Sequence, residues 1–260
     1  MSRTSPGLPP PSRASTHGAV AATLAALLFG CTYERDPRLG IEPERALSVV
    51  RSAPAPGTTG VDRRATIDVV FDAPPRPVAR VDMRVYAGLI EIQGTRRVDL
   101  VARRVRFTPA QPLRASLRHQ VFLRGGIRGL DGSRLEQDVI FEVTTGETAT
   151  PPAAAPPAPS GAAVAALLGQ RCARCHGSYT PPGGVDLSSR DAMLGSLRNR
   201  ASTGPGGELR VAPGDHARSY VMFKLLDMGG FAGFAMPPEG QGLSRSELRL
   251  VADWIDGGAR

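Results

Sequence analysis

Apolar and polar residues alternate along the chain between about residue 49 and residue 143, in short runs separated by turn residues. In Val105–Thr108, for example, Val105 and Phe107 alternate with polar side chains. A period of two residues is typical of a strand with one buried face. The pattern predicts the strands Thr66–Phe71, Val81–Tyr86, Leu89–Ile92, Arg97–Val101, Val105–Thr108, Gln120–Leu123 and Val139–Val143. Short strands at this spacing, over roughly 100 residues, indicate an all-β sandwich.

The pattern changes to a helical period after about residue 160. Ala163–Gln170 consists mostly of strong helix formers. Arg245–Asp256 has its apolar residues on one face, and Ser244 with Glu247 has the sequence of a capping box at its start. Between the β region and the first of these helices, residues 149–162 are rich in Pro and Ala, which predicts a semi-rigid linker.

A separate apolar run, Ala19–Phe29, precedes the β region. It is too short to cross a bilayer, which takes about 20 residues, but it suits the apolar part of a secretory signal. The run ends in Leu28-Phe29-Gly30-Cys31, which resembles the lipobox of bacterial lipoproteins. That resemblance implies that Cys31 is lipidated and begins the mature chain. A buried core helix with an incidental cysteine and a plain cleaved signal are the alternatives.

Composition narrows the function classes. The chain has 260 residues, enough for two ordinary domains, and a net charge of +8. The basic residues form no cluster, so we expect no nucleic-acid partner. The three cysteines, Cys31, Cys172 and Cys175, are an odd number, which argues against a simple disulfide framework.

The β region is similar to the bacterial Ig-like domains of surface-layer and other exported proteins. The resemblance runs in series through Pro54–Gly57, Ile67–Phe71, Arg106–Pro109, Leu130–Gly132 and Phe141–Thr144. It implies a spacer, docking or adhesive role and no catalytic residues.

The motif that points to chemistry is Cys172-Ala173-Arg174-Cys175-His176. Two thiols three residues apart can each add to one vinyl group of a haem, and the next residue presents an imidazole to the iron, so the motif predicts c-type haem attachment. A zinc site needs more Cys or His ligands than this region offers. A thioredoxin-like redox pair needs a βαβ surround that the pattern does not predict.

Residues 163–260 resemble the small single-haem cytochromes c of exported bacterial proteins, through Cys172–His176, Val211–Asp215, Ser219–Tyr220, Met236–Pro238 and Trp254–Ala259. The resemblance implies an all-α fold, a carbonyl of Pro181 or Pro182 on the proximal imidazole, and a sixth iron ligand from the opposite side. Met236, in a Pro-stiffened loop before the last helix, is preferred as that ligand. The other candidates are Met193, Met222, Met228 and His216.

Together these patterns predict a multi-domain chain. Its parts are a lipoprotein signal with its lipidation site at 1–31, a tether at 32–48, an all-β Ig-like sandwich at 49–148, a linker at 149–162 and an all-α cytochrome c domain at 163–260.

The predicted function is one-electron transfer outside the cytoplasm by one covalently bound haem c, with Cys172, Cys175, His176 and Met236 as haem-binding residues and His176 and Met236 as iron ligands. We expect a lipid anchor in the cell envelope, leaning toward the outer membrane and facing the periplasm or cell surface. Redox proteins are the expected partners, and no enzyme activity is expected. The alternatives are a ligand-binding or peroxidase-type haem site whose sixth ligand is displaceable, and a surface adhesion protein with a structural haem.

Overall fold

The computed structural model describes residues 45–77, 82–177, 179–204, 206–229, 231–239 and 241–260. The predicted signal segment, Cys31 and most of the predicted tether lie outside these residues. Strands occupy the described chain up to Thr144, and helices follow from Gly161 onward. Within this part of the chain, no helix combines the length and the apolar character that a membrane span requires.

The β region consists of two four-stranded antiparallel sheets. In the described residues the strands are β1 (Val49–Ala53), β2 (Ile67–Phe71), β3 (Met83–Ala87), β4 (Ile90–Glu91), β5 (Gly94–Asp99), β6 (Arg104–Pro109), β7 (Arg118–Leu123) and β8 (Val139–Thr144). The first sheet has the order β1-β2-β6-β5 and the second β4-β3-β7-β8.

The two sheets form a sandwich because alternate residues of each strand point into one shared core. On β2, Ile67, Val69 and Phe71 are buried while the residues between them are partly exposed. Inward residues of the second sheet, such as Val85 on β3 and Val121 on β7, belong to the same apolar cluster. The alternation in the sequence therefore predicted the buried face correctly.

The helical region contains, within the described residues, α1 (Gly161–Cys172), α2 (Arg190–Leu197), α3 (Tyr220–Leu226) and α4 (Arg245–Asp256). Helix α1 packs against α2 and α4, and α3 packs against α4. At the start of α4, the Ser244 hydroxyl accepts the backbone N–H of Glu247, and the Glu247 carboxylate accepts the N–H of Ser244. The predicted capping box is thus confirmed.

The prediction of a multi-domain chain with an all-β sandwich followed by an all-α cytochrome c domain is wrong. The described sandwich and helices form one compact unit of mixed α and β structure, with no separate cytochrome domain evident. Leu100 and Val101, which follow β5, and Leu130 from the second sheet's long connection lie in the same apolar cluster as the helices. The helical region therefore completes its core with side chains from the β region, a long-range contact that periodicity cannot reveal.

An ionic bridge, buried at His216 and partly exposed at Asp256 and Arg249, also joins the two regions. The His216 imidazole donates from Nδ1 to Asp256 Oδ2 at 2.9 Å, and its Nε2 lies 3.6 Å from Oδ1 of Asp99, the last residue of β5. Arg249 on α4 places Nη1 2.9 Å from both Asp99 carboxylate oxygens. Because the His216 side chain is only 4% exposed, these charges interact in a poorly hydrated site.

Burial lowers the pKa of His216, but hydrogen bonds and charge from Asp256 and Asp99 outweigh burial and raise that pKa to about 9. The backbone N–H of Leu100 also points at Nε2, at 3.2 Å, a bond that only the neutral ring can accept. Nε2 cannot both carry a proton that faces Asp99 and accept the N–H of Leu100. Two carboxylates within 4 Å of a buried ring favour the protonated ring, the imidazolium, at neutral pH. The Leu100 contact belongs to the neutral ring at high pH.

Candidate functional site

The Cys172–His176 motif forms a single turn at the end of α1. Cys172 is the last helical residue, and its carbonyl accepts the backbone N–H groups of Cys175 at 3.1 Å and of His176 at 2.9 Å. Residues three apart on such a turn share a face, so the two thiols are neighbours. Both cysteines are half-buried, and within the described residues neither takes part in a disulfide.

The imidazole of His176 is fixed by the loop that follows. Its Nδ1 lies 3.2 Å from the carbonyl oxygen of Val185, and the His176 carbonyl accepts the backbone N–H of Leu187 at 2.7 Å. Because a carbonyl only accepts, Nδ1 must carry the proton, which leaves the lone pair on Nε2. Burial also lowers the pKa of His176, so the ring is neutral at pH 7. A neutral imidazole anchored through Nδ1 is the form that binds a metal.

Val185 takes the position that the family resemblance gave to Pro181 or Pro182. Pro182 begins a short 3₁₀ turn, Pro182–Gly184, and this turn brings the next residue, Val185, to the imidazole. The sequence could not predict the role of Val185, because every residue has a backbone carbonyl and its side chain therefore gives no indication of this contact.

Burial raises the pKa of the Cys172 thiol, more than the charge of Arg171 lowers it. At neutral pH this sulfur is therefore a thiol rather than a thiolate, which makes it a poor ligand for a soft metal ion. In the described part of the chain, no group of three or more His, Cys, Asp or Glu side chains is arranged to hold a metal ion. A tetrahedral zinc site, which needs four such ligands, does not fit these residues.

Met236 lies in the loop between α3 and α4. Its backbone N–H donates to the carbonyl of Lys224 at 2.8 Å, and its half-buried side chain packs against the same apolar cluster as Cys172. The Lys224 ammonium donates to the carbonyls of Ala232 and Phe234 in this loop, the latter at 2.6 Å. Burial lowers the pKa of Lys224 to about 8.

The other candidate sixth ligands lie elsewhere. Met193 and Met222 are buried within the helical core, at 1% and 0% exposure. His216 is engaged by Asp256 and lies near Asp99 in the ionic bridge. Met228 is half-buried between the sandwich core and the helical core. Met228 lies in the same loop as Met236, but it is Met236 whose backbone N–H donates to α3, at the carbonyl of Lys224.

The residues present fit a covalently bound haem. Two reduced thiols share one face of a turn, and the adjacent imidazole is neutral, with its Nε2 lone pair left by the Nδ1 contact. This donor chemistry would suit two thioether bonds to a porphyrin and one imidazole bond to its iron.

Comparison with known proteins does not identify a family for this chain. No protein-family model and no well-characterised relative matches the sequence. Of the solved structures that match, the N-terminal part of the bacterial S-layer protein SbsC is 13% identical with a TM-score of 0.30, over 39% of this chain and 24% of that one. The copper resistance protein PcoC from Escherichia coli is 12% identical with a TM-score of 0.31, over 38% of this chain and 98% of that one.

An L,D-transpeptidase from Mycobacterium smegmatis is 19% identical with a TM-score of 0.26, over 38% of this chain and 40% of that one. This chain thus spans about a quarter of the first of these structures. Likenesses at these scores carry no argument about fold or function, so the site must be interpreted from its own residues.

Proposed function

We propose that this protein is a covalent haem c electron carrier of the cell envelope. The observation that carries the proposal is the turn at the end of α1, where two thiols stand beside an imidazole anchored to Val185. In the proposal Cys172 and Cys175 would bind the porphyrin, and His176 Nε2 and Met236 would hold the iron.

A bound haem supplies a one-electron couple between ferric and ferrous iron, and His/Met ligation raises its reduction potential. The protein's own part is orientation. The Val185 carbonyl holds the His176 ring in one tautomer, and the carbonyl of Lys224 holds the backbone of Met236. If His176 and Met236 both held the iron, no position would be left for a substrate, which is why we propose a carrier rather than an enzyme.

The proposed setting is outside the cytoplasm. Covalent haem attachment in bacteria takes place after export, and a lipidated Cys31 would hold the chain on a membrane. The β-sandwich, which we propose to be of the bacterial Ig-like type, then acts as a spacer or docking module. Redox partner proteins would bind through small interfaces, below about 1,200 Å².

Intact mass spectrometry tests haem attachment directly. The full chain is produced in a bacterium that matures c-type haem in its periplasm. Since addition of a thiol across a vinyl double bond loses no atom, we expect the mass of the mature polypeptide plus one whole haem. The double variant Cys172→Ser, Cys175→Ser should give the bare polypeptide. A bare polypeptide mass for the wild type would refute the proposal.

A visible spectrum then tests the distal ligand. We expect the oxidised wild type to show the weak red charge-transfer band of a methionine–iron bond, and Met236→Ala to lose it. Met228→Ala is the matched control, because Met228 is a half-buried methionine of the same region. Loss of the band in Met228→Ala alone would make the Met236 assignment wrong. A wild type that lacks the band and binds CO would instead favour a ligand-binding haem site.

A further inference from the structure

Lys224 is the only lysine in the sequence, and it is partly buried on α3 beside aromatic rings. Its Nζ lies 4.7 Å from the centroid of the Phe231 ring and 5.9 Å from that of Tyr220. An ammonium in such surroundings loses much of its hydration, which is costly unless strong acceptors replace the water. The chain otherwise uses arginine for its basic side chains, so this lysine needs a local explanation.

The replacement acceptors come from the loop that carries Met236. The Lys224 ammonium donates to the carbonyl oxygens of Ala232 and Phe234. Hydrogen bonds from a charged donor are stronger than those between neutral groups. A short, compact ammonium on a flexible stem can satisfy two carbonyls two residues apart, where a planar guanidinium of greater bulk fits less well.

Two further bonds tie the same loop to α3. The backbone N–H of Ala232 donates to the Tyr220 hydroxyl at 2.9 Å, and the backbone N–H of Met236 donates to the Lys224 carbonyl at 2.8 Å. Lys224 thus holds the loop twice, through its side chain at Ala232 and Phe234 and through its main chain at Met236. Fixing the backbone on both sides of Ala235 restricts where the Met236 thioether can lie.

We propose that Lys224 is the positioning residue for Met236: its ammonium binds the loop carbonyls of Ala232 and Phe234 and thereby holds the Met236 side chain where an iron ligand is needed. The purpose of this contact rests on the proposed function. The contact itself, between the Lys224 ammonium and the two loop carbonyls, is a property of the polypeptide and is called the clamp below. Lys224 touches neither porphyrin nor iron in this scheme and acts only through the loop.

The first test is the substitution Lys224→Met, which keeps an unbranched side chain and removes all donors. We expect haem attachment to be unchanged, because Cys172 and Cys175 lie outside the loop, while the methionine–iron charge-transfer band falls at least threefold. Arg218→Met is the matched control, since Arg218 is an exposed cation just before α3 whose guanidinium pairs with Asp215. An undiminished band in Lys224→Met would overturn the inference.

Hydrogen exchange separates this inference from the proposed function. In the peptide covering residues 231–239, the Met236 amide should exchange at least tenfold faster in Lys224→Met than in wild type, with or without haem. If the wild type carries no haem but this acceleration is seen, the clamp stands and the haem proposal fails. If the wild type carries haem and the exchange rate of this amide is unaltered, the clamp is wrong.

If Lys224→Met does not fold, amine labelling of the wild type tests whether the loop holds the Lys224 ammonium. Because the chain has one lysine, acetylation by acetic anhydride followed by peptide mass analysis reports on Lys224 alone. In the native wild-type protein we expect labelling at least tenfold slower than that of a free lysine derivative. Labelling of Lys224 at the free rate would show that its ammonium is not held by the loop, and the inference would fall.

Discussion

Raising the pH from 6 to 10 should weaken the ionic bridge between the sandwich and the helices, because the His216 imidazolium loses a proton and becomes neutral in this range. The pKa of His216 is raised from its ordinary 6.5 to about 9 by Asp256 and Asp99, against the effect of burial. A group whose pKa is raised on folding stabilises the folded state below its unfolded pKa. That stabilisation disappears as the pH rises through the folded pKa.

The magnitude follows from the two pKa values. A change from 6.5 to about 9 corresponds to about 3 kcal/mol, at 1.36 kcal/mol per pH unit. The side chain of His216 is 4% exposed but that of Asp256 is 35% exposed, so solvent screening makes this figure an upper value. The pKa of Asp256 is lowered by the same contacts, so its shift describes the same interaction and is not added.

Thermal unfolding of wild type and His216→Gln, measured at each pH between 6 and 10, isolates this contribution. The comparison with the variant is needed because Lys224 acts in the opposite direction. Its pKa is lowered to about 8, so the unfolded chain binds more protons above that pH and stability rises. Subtracting the variant's melting temperature cancels this effect.

We expect the difference in melting temperature between wild type and His216→Gln to fall by about 6–12 °C over this range, at about 2–4 °C per kcal/mol for a unit of this size. The fall should take place mainly between pH 6.5 and about 9, the unfolded and folded pKa values of His216, with its midpoint between the two. A difference that stays constant from pH 6 to 10 would refute the reasoning. It would mean that His216 is neutral throughout, donating from Nδ1 to Asp256 and accepting the Leu100 N–H at Nε2.

Three further predictions concern the helices. Trp254→Ala should lower the free energy of unfolding by about 3–5 kcal/mol in urea denaturation, because this 1% exposed ring fills the helical core and its Nε1 donates to the Arg260 carbonyl; a loss below about 1 kcal/mol would contradict this. Ser244→Ala should cost about 1 kcal/mol by the same measurement, since it removes the hydroxyl of the capping box. Gly161→Ala should destabilise the protein, because the new Cβ would clash with the Arg260 carbonyl oxygen. Gly195→Ala on α2 has open space around it and should stabilise the protein by about 0.5–1 kcal/mol. Melting temperatures that move in the same direction in both variants would count against this argument.

Local patterns predicted most of the individual elements. The helix Arg245–Asp256 has the bounds expected from its capping box and periodicity, and the strand β2 has the expected buried face. Strand β1 was not predicted, because most of its side chains are exposed and show no alternation. Arg97–Val101 was predicted as one strand, but β5 ends at Asp99.

That early end of β5 shows where sequence reasoning stops. Leu100 and Val101 leave the sheet and bury themselves against the helices, although their apolar character suits a strand equally well. An apolar side chain reveals that it will be buried but not against which partner. The expectation of a separate helical domain failed for this reason.

The sequence alone determined the chemistry-bearing spacing of Cys172, Cys175 and His176, the alternation of the strands and the capped start of α4, because each depends on residues a few positions apart. Only the tertiary structure decided that Val185 anchors His176, that Lys224 holds the Met236 loop and that His216 bridges the two regions. The bond between Arg249 and Asp99 joins residues 150 positions apart. Contacts at that separation depend on how whole layers pack, which no local period in the sequence encodes.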